Sequence, residues 1–238
     1  EAIFFTSTQE EYLSKNWFKN IKINKKFINY GINRKPENPE KFKKLFLKRF
    51  PYLNNKKIIL FLSRIDYKKG IDILIEAFGK ISHEHPELVL VVAGPSSKDY
   101  QLQVKLNSLI NIFRIKDKVI FTGMLKNEMK WGAYYSSDIF CLPSHSENFG
   151  IVVAEALSCG CLLGISDKVN IYQEIKNANA GVILKDTTDD VIKALDRMLN
   201  LSNEDKAEMK KNALTLFDQK FNLLNTANIF VNTLKEYN

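Results

Sequence analysis

Four uninterrupted apolar runs of strand length, each followed by a stretch with helical periodicity, restrict what this chain can fold into. They read IILFL (58–62), LVLVVA (88–93), VIFT (119–122) and DIFCL (138–142). A strand with one wet face would carry a polar residue at every second position; these do not, so both of their faces are buried. Between them, Leu74, Ala77, Phe78 and Ile81 mark the inner stripe of a helix over 70–81, a second helix runs to about residue 113, and a third spans 127–136. Further strands are expected at 162–165 and 181–184, with helices near 151–157, 170–177, 188–200, 203–217 and 222–236. The pattern predicts an α/β domain, a doubly wound parallel sheet of Rossmann-like type, over 57–217. Such sheets bind ligands at the carboxyl ends of their strands.

The flanks read differently. Residues 2–6 form a short strand, Ser7 is a candidate N-cap for a helix to about residue 17, and a strand is expected at 26–31. Residues 33–39 hold two prolines among polar residues, which is linker chemistry. Phe42, Leu45, Phe46 and Phe50 then recur at helical spacing, with Lys41, Lys43, Lys44, Lys48 and Arg49 on the other faces. This basic amphipathic helix either packs on its own domain or lies on a membrane surface.

The loops at the carboxyl ends carry the candidate chemistry. SRIDYKKG (63–70) places Arg64 at a strand end and Lys69 just before the next helix, two cations suited to a diphosphate. Gly123 ends a strand and lets a flat ring approach the backbone. SHSENFG (144–150) leads straight into the helix IVVAEAL, whose free N–H groups favour an anion. Glu147 in that loop and Glu155 in the helix bracket the turn. As an acid/base pair they are poorly placed, one being in the loop and the other well inside the helix. With no Asp-x-Asp pair and no His/Asp cluster, no metal ligand set is expected.

Composition narrows the classes. Cys141, Cys159 and Cys161 lack CxxC spacing and sit among apolar residues, so they read as reduced core thiols of a cytosolic protein. No apolar run approaches the roughly 20 residues that span a bilayer. The net charge of +8 is spread along the chain, with no Arg-rich tract and no aromatic nucleic-acid motif, so no nucleic-acid partner is expected. The chain opens without Met and directly into a strand, as a piece of a longer protein would.

Taken in order, several segments resemble the carboxyl-terminal half of a GT-B fold glycosyltransferase of retaining family 4. They are Arg64-x4-Lys69-Gly70 with Asp72 and LIEAF (74–78), VVAG (91–94), VIFTG (119–123), and ENFG (147–150) with Glu155, the two acids eight apart as in that family's E-x7-E signature. The resemblance covers 57 to about 199. It implies that Arg64 and Lys69 hold the diphosphate of a nucleotide-sugar donor without a metal or other cofactor. It also implies that Glu147, beside Asn148, bonds the sugar hydroxyls and that backbone at Phe149, Gly150 and Ile151 meets the phosphates. Glu155 would bond the ribose, and Gly123 and Met124 would meet the base.

On this resemblance, 1–33 would end an amino-terminal domain that holds the acceptor, 34–56 would link the domains, and 218–238 would cross back, leaving Leu223, Ala227, Phe230 and Leu234 partly exposed. The chain departs from the family at Ser63, where Gly is usual, and at 161–171, where PVVAS and a Gly-Gly turn are usual. The expected activity is sugar transfer from a UDP- or GDP-linked donor to a glycan or lipid-linked acceptor in polysaccharide synthesis. It would take place in the cytoplasm or at the inner face of the membrane. The alternatives are a sugar-nucleotide epimerase of the same fold and a membrane-surface binding module without activity.

Overall fold

The computed structural model describes residues 2–18, 24–33 and 35–236; the domain boundary expected at 33/34 therefore touches a position outside the described residues. The chain begins with β1 (Ala2–Phe5), α1 (Thr8–Ser14) and β2 (Asn24–Phe27), then α2 (Pro39–Arg49). The α/β pattern follows as β3 (Lys57–Leu62), α3 (Ile71–Ile81), β4 (Leu88–Ala93), α4 (Tyr100–Ile112), β5 (Val119–Gly123), α5 (Asn127–Ser136) and β6 (Ile139–Leu142). It continues as α6 (Ile151–Ser158), β7 (Leu162–Ser166), α7 (Tyr172–Asn177), β8 (Val182–Leu184), α8 (Thr188–Leu199), α9 (Asn203–Leu216) and α10 (Leu223–Lys235).

The four apolar runs and the two further expected strands form one parallel sheet in the order β5-β4-β3-β6-β7-β8. Nearly every residue of β3, β4 and β6 is buried, which is why those segments read as unbroken apolar runs. The chain builds outward from β3 to β5 and then returns to start again at β6. The switch point of the winding therefore lies between β3 and β6, and the loops after these two strands line a crevice there. Asp138 pins this central pair: its backbone N–H donates to the Ile58 carbonyl at 2.9 Å, and its carboxylate accepts from the Ile58 N–H at 2.7 Å. Helix α3 packs against α4 and α8, while α5 packs against α2 and α6 against α9.

The basic helix α2 turns its apolar stripe inward. Phe42 and Phe46 are buried, and Phe46 and Leu53 belong to the same core as the sheet. Its lysines remain outside, so the stripe is occupied by the protein's own interior.

The flanking segment differs from expectation at β2 and in α1, which ends at Ser14 and not near residue 17. The strand predicted at 26–31 is β2, Asn24–Phe27, paired parallel with β1 in the register Ala2↔Asn24 to Phe5↔Phe27; it ends at Phe27 because after Phe5 the partner chain turns into α1. Ser7 caps α1 as expected, accepting from the Glu10 N–H at 3.1 Å. Beyond α9 a π-helical turn, Phe217–Phe221, buries both phenylalanines and delivers the chain to Ile32. There the Ile32 N–H donates to the Phe221 carbonyl (2.8 Å) and the Leu223 N–H to the Ile32 carbonyl (3.0 Å). Leu223, Ala227, Phe230 and Leu234 of α10 are exposed, as the sequence suggested.

Candidate active site

The crevice at the switch point is a cavity of about 470 Å³ lined by Tyr30, Ser63, Arg64, Lys69, Glu147, Asn148, Phe149, Gly150, Ile151 and Val152. Seven of the residues proposed from sequence are in that lining, although they come from loops after two different strands.

The loop after β3 tightens into a short 3-10 turn, Tyr67–Lys69, capped by the Asp66 carboxylate on the Lys68 N–H (2.9 Å). This turn buries Lys69 and leaves Arg64 exposed at the strand end. Gly70 closes the turn at φ 67°, and a Cβ there would stand 2.1 Å from the carbonyl oxygen of Pro143. Only glycine permits the two loops to meet this closely.

The loop after β6 is held from several sides. The His145 N–H donates to the Lys68 carbonyl (2.8 Å), the Glu147 N–H to that of Lys168 (3.0 Å), and the Asn170 N–H to that of Glu147 (3.0 Å). Asn170 Nδ2 donates to Asn148 Oδ1 at 3.0 Å, and Ser166 Oγ to the Ser144 carbonyl at 2.5 Å. The segment 166–170 thus clamps the Glu147 loop. The His145 ring stacks on Tyr67 and its Nδ1 lies 2.8 Å from Asp186 Oδ2. Burial pulls the Asp186 carboxyl upward, but the His145 bond, its backbone bond and the nearby Lys168 charge outweigh it and leave it below its ordinary value of 3.8.

Lys69 and Glu147 form an ion pair across the crevice with side chains only 11% and 19% exposed. Beside them α6 begins at Gly150 (φ 77°) with no side-chain cap. Its first internal hydrogen bonds come from the Val153 and Ala154 N–H groups, so those of Ile151 and Val152 are left toward the cavity. Cation, carboxylate and helix start together make a site for an anion that also carries hydroxyls.

Gly123, Met124 and Glu155 do not line this cavity. Gly123 sits at the carboxyl end of β5 with φ 69° and open space where a Cβ would point, and Met124 is exposed beside it. Glu155 is engaged by α5: Lys130 Nζ donates to Oε1 at 2.5 Å and Tyr134 Oη to Oε2 at 3.0 Å. Glu147 and Glu155 thus have separate partners, Lys69 for the first and Lys130 with Tyr134 for the second. Sequence reasoning missed Tyr30, Ser63 and Val152 as lining residues and Lys130 and Tyr134 as partners of Glu155. Position at a strand end could have marked Ser63; nothing local marks the others.

Cys141 and Cys161 are buried free thiols, and burial pushes them up to about 12 and about 11, which disfavours the thiolate. Among the described residues no three His, Cys, Asp or Glu side chains are grouped to hold a metal ion, and no helix is long and apolar enough to cross a membrane.

The family model described as glycosyl transferases group 1 matches residues 42–215. An uncharacterized glycosyltransferase of Methanocaldococcus jannaschii is 30% identical over 148 residues, 62% of this chain and 37% of that protein. The D-inositol 3-phosphate glycosyltransferase of Gordonia bronchialis is 31% identical over 166 residues, 67% of this chain and 36% of the relative. The chain therefore spans little more than a third of these relatives' length. In fold it is similar to a glycosyltransferase from Rickettsia africae, with TM-score 0.84 at 20% identity over 99% of this chain and 63% of that one. It is also similar to Anabaena HepE in complex with UDP and glucose, with TM-score 0.80 at 18% identity over 98% and 62%. These neighbours share the GT-B fold.

Proposed function

The chain belongs to the group 1 glycosyl transferases, and from that premise we propose that its crevice is the donor site of a retaining glycosyltransferase. The reaction is transfer of a sugar from a UDP- or GDP-linked donor to an acceptor hydroxyl. The observation that carries this reading is the convergence of Arg64, Lys69, Glu147 and the uncapped start of α6 on one switch-point cavity. As the sugar leaves, negative charge gathers on the nucleoside diphosphate. Arg64, Lys69 and the Ile151 and Val152 N–H groups border the cavity and would receive that charge, in the role that a metal ion plays in other transferases. Donor binding exchanges the Lys69–Glu147 pair: Lys69 turns to phosphate and Glu147 to the sugar hydroxyls. Glu155 takes the ribose and the backbone at Gly123 and Met124 the base.

A relative named as an alpha-monoglucosyldiacylglycerol synthase supports a lipid-linked acceptor; the relative named for D-inositol 3-phosphate points instead to a small phosphorylated polyol.

Calorimetric titration with UDP, GDP and ADP tests the donor site. One nucleotide is expected to bind selectively, with affinity lowered about tenfold or more in Arg64→Ala and Lys69→Ala. Absence of binding by all three, or binding indifferent to both substitutions, refutes the assignment. Incubation with the sugar nucleotide alone separates transfer from epimerisation, since only an epimerase isomerises the sugar without an acceptor.

A further inference from the structure

We propose that Lys130 is a positioning residue that holds Glu155 in the orientation from which it reads a ribose, and so sets the site's preference for ribo- over deoxyribonucleotides. The inference rests on the donor-site reading above and adds what makes Glu155 selective.

Lys130 and Tyr134 lie four residues apart on α5 and so share a face. Between them they engage both carboxylate oxygens of Glu155, Lys130 on Oε1 and Tyr134 on Oε2. Tyr134 is buried, and its phenol is pushed well above its ordinary value, first by burial and then by the Glu155 charge, so it remains a donor. A phenol has one proton to give, however, and Tyr134 Oη also lies 3.2 Å from the carbonyl of Val152, a residue of the cavity wall. Tyr134 can serve the wall or the carboxylate. Lys130, with three protons, is the anchor that does not depend on that choice. Its Nζ is steadied by the Trp131 ring, 4.7 Å to the centroid.

The pair is no loose surface contact, since the two side chains are 25% and 12% exposed. A carboxylate offers about four acceptor positions. With one taken by the ammonium and, when the phenol serves the carboxylate, one by Tyr134, at least two remain, enough for the two hydroxyl protons of a vicinal diol. The 2′- and 3′-hydroxyls of a ribose are such a diol; a 2′-deoxyribose is not.

The full chain is titrated with whichever of UDP and GDP it binds, with the 2′-deoxy form of that nucleotide, and with inorganic pyrophosphate. Native protein is compared with Lys130→Met, Lys130→Arg and Glu155→Gln. The native chain is expected to prefer the ribonucleotide by about tenfold or more, and Lys130→Met to reduce that preference to within about threefold. Lys130→Arg is expected to retain the preference, and pyrophosphate to bind all four proteins alike. A preference lost in Glu155→Gln but intact in Lys130→Met overturns the inference and leaves the donor site standing. Loss of pyrophosphate affinity in Lys130→Met in the same proportion also overturns it, because the effect would then not reside at the ribose. If the native chain binds none of the nucleotides, the donor-site reading falls and this inference with it.

Discussion

Lys69 and Glu147 show how much of a site can depend on one contact. Each side chain is mostly withdrawn from water, and each is the other's compensating charge. Removing either leaves an unpaired ion in a partly buried place, which costs more than the pair itself is worth. Lys69→Ala and Glu147→Ala are each expected to destabilise the fold by about 1–3 kcal/mol, and the double variant by clearly less than the sum. Urea denaturation of the four proteins measures this, and strictly additive losses would show that the pair is not coupled. Both residues were legible in the sequence as candidates, from their place at strand ends and beside a helix start. Their pairing was not legible, because they are 78 positions apart and nothing in either loop encodes the other.

At the scale of elements, the apolar runs and their periodicities located the strands of the large sheet and its helices to within a residue or two, because burial on both faces of a parallel strand leaves a local mark. The small sheet was less legible. The carboxyl end of β2 is set by the point at which its partner β1 gives way to α1 and not by its own residues. The junction between the two site loops has the same character. Gly70 reads in sequence as a helix start, and only the fold shows that Pro143 occupies the space where a side chain would go. Gly70→Ala combines a left-handed backbone with a clash against a main-chain carbonyl. It is expected to cost at least about 2 kcal/mol and to weaken nucleotide binding by about tenfold or more, as the Lys69 turn is pushed from the Glu147 loop. Unchanged binding in calorimetry would mean that the two loops need not touch.

On the scale of the whole molecule, Asp186 ties the carboxyl end of β8 to the Glu147 loop through His145. Its folded carboxyl titrates below the ordinary value of 3.8, so its contribution to stability is fully present above that value and is lost as pH falls through the lower folded one. The melting temperature of Asp186→Asn should therefore lie below that of the native chain at and above about pH 5, and the gap should close as the pH drops below 3.8. A gap that persists or widens in acid would assign the tie to something other than the carboxylate.

The sequence by itself determined the class of fold, the strands and helices of the large sheet, and the loops that carry chemistry. Those features follow from burial and backbone periodicity, which act over a few neighbouring residues. Tertiary structure alone decided the order of strands, with β3 beside β6, and through it the switch-point cavity. It also decided which charges meet, Lys69 with Glu147 and Lys130 with Glu155. Such partnerships join side chains from distant segments, and their geometry exists only once parallel pairing has brought the strand ends together.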